Sequence, residues 1–442
     1  MSATLWDLWQ EVVRAFEQGQ WDQALKRCIV ILQGAPACFE ARMKIGDILL
    51  KQGRVTEAQE VYKIIAWHFT KAGFPLLAIT AIKMMTSLDD RNIDVMDILA
   101  SLYSSESDRV SAEAPHPQLP KLSVVEISQA GQNVDIVINL AGQELCDLAA
   151  KLASDEKGLQ DYPEKLPAIP LFSDLPEEAF HKLLGDLKLK RLGRGGMILR
   201  EGEKGESFFI QARGEVEISK LVGGEQLILA KLGDNAVFGE MALVSNEPRS
   251  ASVRAVSQVD LLELTRLDLE REAEQYVSIS KALKKFTRSR LLSNLMALSS
   301  VFRVLPHDER HAALDRFISM EVKNGQVIIE EGRKGIGLFV ILRGEAEVKK
   351  RDGDTLVPLA LLREGDVFGE IALIKDLPTS ATVIAGSDGE FLFLSRKEFE
   401  DCIRASPDLW RTLGEISDDR LKETARLMTE TDFLGDDEFV LI

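Results

Sequence analysis

The sequence of 442 residues predicts a multidomain α+β protein: an amino-terminal helical region, then two copies of one β-roll (jelly-roll) module with flanking helices. Two observations indicate this fold class. Residues 1–104 show the apolar periodicity of helices, with prolines only at Pro36 and Pro75. Further along, stretches of alternating apolar and polar residues repeat at an offset of 130 positions, which is typical of a duplicated β module.

The helical region contains a shorter repeat. The segment that begins at Gly19 recurs at Gly53, an offset of 34 residues, and each copy has an alanine five residues further on. This pattern resembles tetratricopeptide helix pairs, in which glycine permits a tight turn and alanine a close helix contact. The resemblance implies the pairs Leu5–Leu32 and Phe39–Lys71 and a less regular third pair. It also implies a docking surface for a protein partner, with oligomerisation or capping as the alternative.

A change of composition follows the helical region. Ser, Glu, Ala and Pro dominate from Ser104 to about Pro120, which predicts a flexible linker, and Gln143–Asp155 is predicted to be a short helix. Because polar linkers join domains loosely, we expect weak coupling between the helical region and the first module unless the two dock. The predicted boundaries are 1–104 for the helical region, 105–165 for the linker, 166–296 and 297–430 for the two modules, and 431–442 for an acidic tail.

Strand and turn signals are clear within the modules. Alternating runs separated by the pair Gly223-Gly224 indicate a hairpin, and further strands follow after a turn-rich segment. The strands predicted in the first module are Ser207–Gln211, Glu215–Leu221, Gln226–Leu232, Ser252–Val256 and Val259–Leu264. A long helical stretch is expected after each module, Leu267–Met296 and Arg396–Leu427.

The most specific motif runs without a gap from Phe238 to Val253, FGEMALVSNEPRSASV. It places a carboxylate, Glu240, and a guanidinium, Arg249, nine positions apart on a turn of small residues. A guanidinium offers a phosphate a rigid fork of donors, and a carboxylate accepts a hydrogen bond from a ribose hydroxyl. Gly239 lets the backbone approach a ligand closely. These residues predict a ligand-binding site without a metal or a nucleophile, the alternative being a buried salt bridge that closes the β-roll.

This segment resembles the phosphate-binding cassette of the cyclic nucleotide-binding domain family, which occurs in kinase regulatory subunits, catabolite activator proteins and gated channels. The resemblance implies a β-roll that binds cAMP or cGMP and needs no cofactor. By the same resemblance, catabolite activators also place a serine after this arginine, whereas cGMP-selective kinases place a threonine there that meets the guanine amino group. Ser250 could do either, and cAMP is favoured because nothing else in the sequence supplies a guanine-specific polar pair. The implied ligand-binding residues are Phe238, Gly239, Glu240, Met241, Ala242, Arg249, Ser250 and Ala251.

The second module carries a second cassette, from Phe368 to Val383, in which Thr379 stands where the first has Arg249. A hydroxyl donates one neutral hydrogen bond in place of two charge-assisted ones, a loss of roughly 2–4 kcal/mol. We therefore expect a degenerate site, either a scaffold or a site for something other than an ordinary cyclic mononucleotide. Its residues are Gly369, Glu370, Ile371, Ala372, Thr379 and Ser380.

Composition narrows the possible partners. The formal net charge of −17 argues against nucleic acid and anionic membranes, because phosphate contacts need a basic face. The sequence has neither an apolar run near 18 residues nor a signal-peptide pattern, and its four cysteines lack disulfide or metal spacing, so we expect a cytoplasmic protein.

The sequence also lacks a catalytic constellation and a DNA-binding unit. We therefore predict a non-enzymatic cyclic-nucleotide sensor in which ligand in the first module changes what the helical region or the second module binds. The unidentified protein partner is expected on the helical repeat. Two alternatives stay open: a structural interaction scaffold whose β-rolls bind no ligand, and a sensor of a cyclic dinucleotide such as cyclic di-GMP.

Overall fold

The computed structural model describes residues 4–88, 94–119, 122, 139–155, 163–222, 225–240, 248–299, 301, 316–353 and 355–435. Residues 1–287 form one compact unit and residues 288–442 form another. Within the described ranges, the structure contains no helix that is both long enough and apolar enough to cross a membrane.

The amino-terminal region is helical, as predicted. Its helices pair because glycines with positive φ end three of them: Gly19 at 71°, Gly53 at 76° and Gly73 at 85°. Side-chain-bearing residues rarely adopt this conformation, so the glycines allow the chain to reverse direction tightly. The helices are α1 (Leu5–Glu17), α2 (Trp21–Gly34), α3 (Phe39–Lys51), α4 (Val55–Lys71), α5 (Pro75–Thr86) and α6 (Asp94–Tyr103).

The predicted linker is more structured than its composition indicates. Strand β1 (Val110–Ser111) pairs in parallel with β2 (Leu166–Pro167). Helix α7 (Gly142–Ala153) packs against α2, α3 and α4. The Arg42 guanidinium on α3, only 1% exposed, donates to the Ala153 carbonyl at 2.9 Å. The short helix expected within the linker therefore belongs to the helical region.

The first β-roll consists of two four-stranded antiparallel sheets. One has the strand order β3-β10-β5-β8 and the other β4-β9-β6-β7. The turn predicted at Gly223-Gly224 lies outside the described residues, but Val222 pairs with Glu225 and so confirms the hairpin. The strands are β3 (Lys188–Leu192), β4 (Met197–Leu199), β5 (Ser207–Arg213), β6 (Val216–Val222), β7 (Glu225–Leu232), β8 (Val237–Phe238), β9 (Ser252–Ala255) and β10 (Val259–Thr265).

The second β-roll repeats this topology, since its sheets have the orders β11-β18-β13-β16 and β12-β17-β14-β15. Each strand begins and ends 130 residues after its counterpart, which confirms the internal repeat. The strands are β11 (Ile318–Val322), β12 (Val327–Ile329), β13 (Gly337–Arg343), β14 (Ala346–Asp352), β15 (Thr355–Leu362), β16 (Val367–Phe368), β17 (Thr382–Ala385) and β18 (Gly389–Ser395).

The sequence predicts one long helical stretch after each β-roll, but the structure has two helices there in each case. The first stretch is interrupted at Tyr276. The second is interrupted before Pro407, because proline cannot continue the preceding helix. The last helix also runs to Gly435, into the predicted tail, and residues 436–442 lie outside the described ranges. The helices are α8 (Glu177–Asp186), α9 (Arg266–Gln275), α10 (Val277–Leu298), α11 (Glu370–Ile374), α12 (Arg396–Ala405) and α13 (Pro407–Gly435).

The helical region and the first β-roll share one core, so the stated exception to weak coupling, docking of the two parts, applies. A continuous cluster of buried apolar side chains runs from Leu5 on α1 to Phe286 on α10 and includes Phe208 on β5. Helix α5 packs directly against β3 and β5. The two parts therefore dock. The polar composition of the segment between them does not predict this contact.

Charged groups reinforce this docking. Arg191 on β3 lies 2.7 Å from the Asp47 carboxylate on α3 and 3.1 Å from the Asp260 carboxylate on β10. Arg213 on β5 also contacts Asp260, at 2.9 Å, and it lies 3.7 Å from Glu40 on α3. Asp260 is fully buried and Arg213 is 7% exposed, so the Arg213–Asp260 pair is shielded from water. Two guanidiniums and three carboxylates thus join α3 to the first β-roll.

Candidate functional site

The first cassette begins where β8 ends. The Phe238 ring stacks on Phe209 at 5.5 Å and anchors the cassette to the β-roll core. Gly239 follows with φ of 78°, and a Cβ atom built there would lie 3.0 Å from Arg249 Nη1 and 3.3 Å from the Ser207 carbonyl oxygen. Glycine is therefore required both by the backbone conformation and by the close approach of the guanidinium.

Arg249 is held by carbonyl oxygens. Its Nη1 donates to the Gly239 carbonyl at 2.8 Å and its Nη2 to the Ser207 carbonyl at 2.6 Å. The Arg249 backbone is fixed by Glu203 and Gly202 through two hydrogen bonds of 2.8 Å. Among the described residues, the Arg249 side chain makes no salt bridge, so its positive charge remains available to an anion.

The Glu240 side chain is buried, with 5% exposure, whereas Arg249 is partly exposed. Burial lowers the pKa of Arg249, while the Glu240 and Glu263 carboxylates oppose that shift. The structure thus brings the predicted carboxylate and guanidinium into one electrostatic environment. Ser250 is exposed and Ala251 half-buried, whereas Met241 and Ala242 lie outside the described residues.

At the positions described in both cassettes, the second repeats the backbone of the first but carries different side chains. Gly369, with φ of 84°, precedes α11, and Glu370 is 1% exposed. Thr379 makes the backbone contacts of Arg249: its N–H donates to the Arg333 carbonyl and its carbonyl accepts from Gly332, both at 2.8 Å. Its hydroxyl donates to the Glu330 carbonyl at 2.5 Å and accepts from the Arg333 N–H at 2.9 Å.

Two residues of helix α13 contact the second cassette or the strand before it, and sequence reasoning missed both. Arg420 Nη1 donates to Glu370 Oε1 at 2.7 Å and to the Val367 carbonyl at 2.6 Å. Lys375, which follows α11, lies 2.5 Å from Asp418 Oδ1. An arginine 50 positions after its partner forms no local motif in a single sequence, so only the fold reveals the pair.

A cavity of about 120 Å³ lies at the second cassette. Its walls are mainly apolar, and its charged lining residues among those described are Glu370, Arg420 and Glu423. Ile371, Ala372 and Ser380 line it as well, so the predicted residues of this site do converge on one cavity. The lining residues are Ile329, Val348, Leu359, Ala360, Leu362, Phe368, Gly369, Glu370, Ile371, Ala372, Thr379, Ser380, Ala381, Val383, Arg420, Glu423 and Thr424.

Comparison with known proteins agrees with this geometry. The cyclic nucleotide-binding domain model matches the chain twice, over residues 189–276 and 319–406. A cAMP-dependent protein kinase regulatory subunit of Yarrowia lipolytica is 32% identical over 255 residues, which are 57% of this chain and 61% of that protein. The cGMP-dependent protein kinase egl-4 of Caenorhabditis elegans is 30% identical over 255 residues, 57% of this chain and 31% of the kinase. The chain thus spans between about a third and three fifths of these relatives.

Among solved structures, the regulatory domain of Toxoplasma gondii PKA with cAMP is 27% identical, and the match covers 56% of this chain and 92% of that one, with a TM-score of 0.28. The matched ranges contain most strands of both β-rolls and both cassettes. By the family model, residues 189–276 and 319–406 each match a cyclic nucleotide-binding domain, and over 255 residues the chain is similar to a regulatory subunit of cAMP-dependent protein kinase.

Proposed function

We propose that this protein is a non-enzymatic cyclic-nucleotide sensor that binds cAMP, or cGMP, in its first β-roll. One observation carries the proposal. Among the described residues, the hydrogen-bond partners of the Arg249 side chain are backbone carbonyls, and the cassette also holds the buried Glu240 carboxylate. A cyclic phosphate is a monoanion that can take over donors now held by the Gly239 and Ser207 carbonyls. Glu240 then accepts from the ribose 2′-hydroxyl.

The relay to a protein partner is proposed to run through the amino-terminal helices. Arg249 rests on the first residue of β5, and Arg213 at the other end of that strand reaches Asp260 and, on α3, Glu40. A ligand that withdraws Arg249 from Ser207 therefore acts on a strand that also holds the helical region. A tetratricopeptide-like surface on these helices would be the docking site for a cytoplasmic partner.

Competition binding tests the ligand. A fluorescent cAMP analogue bound to the full chain should be displaced by cAMP and, more weakly, by cGMP, since Ser250 offers no dedicated guanine partner. Displacement by cyclic di-GMP at lower concentration than cAMP would favour the dinucleotide sensor. If the analogue does not bind at all, the β-rolls are structural and the protein is an interaction scaffold.

A further inference from the structure

A cavity of about 870 Å³ lies where the amino-terminal helices meet the first β-roll. This volume falls within the roughly 300–1,000 Å³ that is typical of small-molecule sites. Its described lining comes from α1, α3, the turn before α5, residues 116–119 and 122, and the turns that follow β5 and β7. None of these lining residues belongs to either cassette, and all of them lie within residues 1–287. The cavity is therefore separate from the predicted nucleotide sites and internal to one compact unit.

Part of the cavity wall is aromatic and aliphatic. Trp6 and Trp9 stand three positions apart on α1, so they lie on the same side of that helix. Trp9 is buried, whereas Trp6 keeps 48% of its surface exposed. Leu76 and Leu77 on α5 extend the apolar surface. Indole rings attract cations more strongly than other aromatic side chains do, so this wall suits an apolar group that carries a positive charge.

The charged lining residues favour the same sign of ligand. Lys231 lies 4.0 Å from Glu215, so these two charges offset each other. The formal charges of the described lining sum to −1, because three acidic residues face two basic ones: Glu40, Glu215 and Asp234 against Arg213 and Lys231. A negative lining attracts cations and repels anions.

The charge of Arg213 is compensated by a residue outside the lining. Its Nε lies 2.9 Å from the fully buried Asp260 carboxylate, and its guanidinium lies 5.9 Å from the centre of the Phe39 ring. Glu40 is more distant from Arg213, at 3.7 Å. Moving Arg213 to an anionic ligand would break a buried ion pair, so the guanidinium does not create an anion site in this cavity.

Glu40 and Asp234 remain as two carboxylates on the cavity wall. Asp234 Oδ1 accepts a hydrogen bond from the Gly214 N–H at 2.8 Å, which holds the carboxylate beside the end of β5. Removal of water around Asp234 raises its pKa, and the negative charge of Glu40 raises it further. The two carboxylates thus repel each other, and a cation beside both would relieve that repulsion.

We propose that this cavity binds an organic cation of small-molecule size, in which an ammonium group is joined to an aromatic or aliphatic body. The ammonium lies beside Glu40 and Asp234, and the body lies against the indole and leucine wall. Such a ligand contacts both the helices and the end of β5, the strand whose first residue accepts from Arg249. It would therefore be a second effector of the protein, and its binding does not depend on a nucleotide in either cassette.

Calorimetry on the full chain at neutral pH tests the charge separately from the body. Three probes share one phenylbutyl body: phenylbutylamine is a cation, phenylbutanol is neutral and phenylbutyrate is an anion. We expect the amine to bind at one site per chain, at least about tenfold more tightly than the alcohol and the carboxylate. An alcohol or carboxylate that binds as tightly as the amine, or an amine that does not saturate below about 10 mM, would overturn the proposal.

Two variants locate the amine within the cavity. Asp234→Asn keeps an acceptor for the Gly214 N–H but removes the charge, so amine binding should weaken about tenfold while alcohol binding stays unchanged. Trp6→Leu keeps an apolar side chain but removes the indole face, so the advantage of the amine over the alcohol should shrink. Unchanged amine affinity in folded Asp234→Asn protein would place the ligand elsewhere and refute the assignment.

Two controls separate this cavity from other sites. Asp419→Asn makes the same chemical change at an exposed position on α13 and should leave amine binding unaltered. Arg249→Ala, which disables the proposed nucleotide site, should leave it unaltered as well. Loss of amine binding in Arg249→Ala protein would place the amine in the first cassette and contradict the proposal.

Discussion

At the scale of single residues, the binding sites of the two β-rolls differ at one equivalent position, which is Arg249 in the first and Thr379 in the second. They occupy equivalent turns with equivalent backbone hydrogen bonds, so at this position the two sites differ in the side chain. Arg249 reaches across the cassette to two carbonyls, whereas the Thr379 hydroxyl bonds to neighbouring backbone. This difference was readable from the sequence, because an internal repeat aligns the two positions without any other protein.

Ser250 provides a test of ligand discrimination. Its side chain is exposed at the cassette, and if it only supports the phosphate, Ser250→Ala should weaken cAMP and cGMP binding about equally, by roughly 1 kcal/mol. Parallel titrations with the two nucleotides measure the difference. A loss confined to cGMP would show that Ser250 reads the guanine base and would reverse the preference for cAMP.

At the scale of elements, the two β-rolls have equivalent strands but different contacts with neighbouring helices. Arg191 on β3 binds both α3 and Asp260, while its counterpart 130 positions later is Glu321, which cannot make those contacts. The strands were predictable because alternation and turn residues encode them locally. The docking of α3 was not, because an ion pair between residues 144 positions apart leaves no periodic signal. The pairing of α13 with the second cassette escaped prediction for the same reason.

The buried network yields a pH-dependent prediction. Burial alone would raise the pKa of Asp260, but Arg213 and Arg191 outweigh it and hold the pKa below its ordinary value. The stability from this carboxylate is therefore present above about pH 4, the pKa of an unfolded aspartate, and is lost as the pH falls through the lower native pKa.

Asp260→Asn should accordingly cost about 3–5 kcal/mol at pH 7, since it leaves two shielded guanidiniums without their shared carboxylate. Urea unfolding of the variant and the parent measures the cost, with Glu400→Gln as an exposed control. The difference between variant and parent should shrink toward pH 3. A constant difference across that range would show that charge at Asp260 does not stabilise the docking.

At the scale of the whole molecule, the amino-terminal helices and the first β-roll act as one unit, because one apolar core runs through both. The composition of residues 105–120 indicated a flexible linker, but a segment's polarity does not report whether the domains on either side touch. The proposed sensing site and the proposed output surface are consequently joined by buried contacts, and coupling between them is expected to be substantial.

Hydrogen exchange tests that coupling. Addition of cAMP should change amide exchange in α3, Phe39–Lys51, because β5 connects the Arg249 contact at Ser207 to the Arg213 contact at Glu40. Helix α1 makes none of the described ion pairs with the β-roll and serves as an internal reference. Exchange in α3 that is identical with and without nucleotide would leave the helical region outside the relay.

The central claim is that the first β-roll alone binds a cyclic nucleotide, and calorimetric titration of the full chain with cAMP tests it most directly. The account predicts one site per chain. Arg249→Ala should weaken it by roughly 3–5 kcal/mol because the phosphate charge loses its partner, while the matched change Thr379→Ala leaves it unaltered. Two equally tight sites, or cAMP affinity unchanged by Arg249→Ala, would contradict the account.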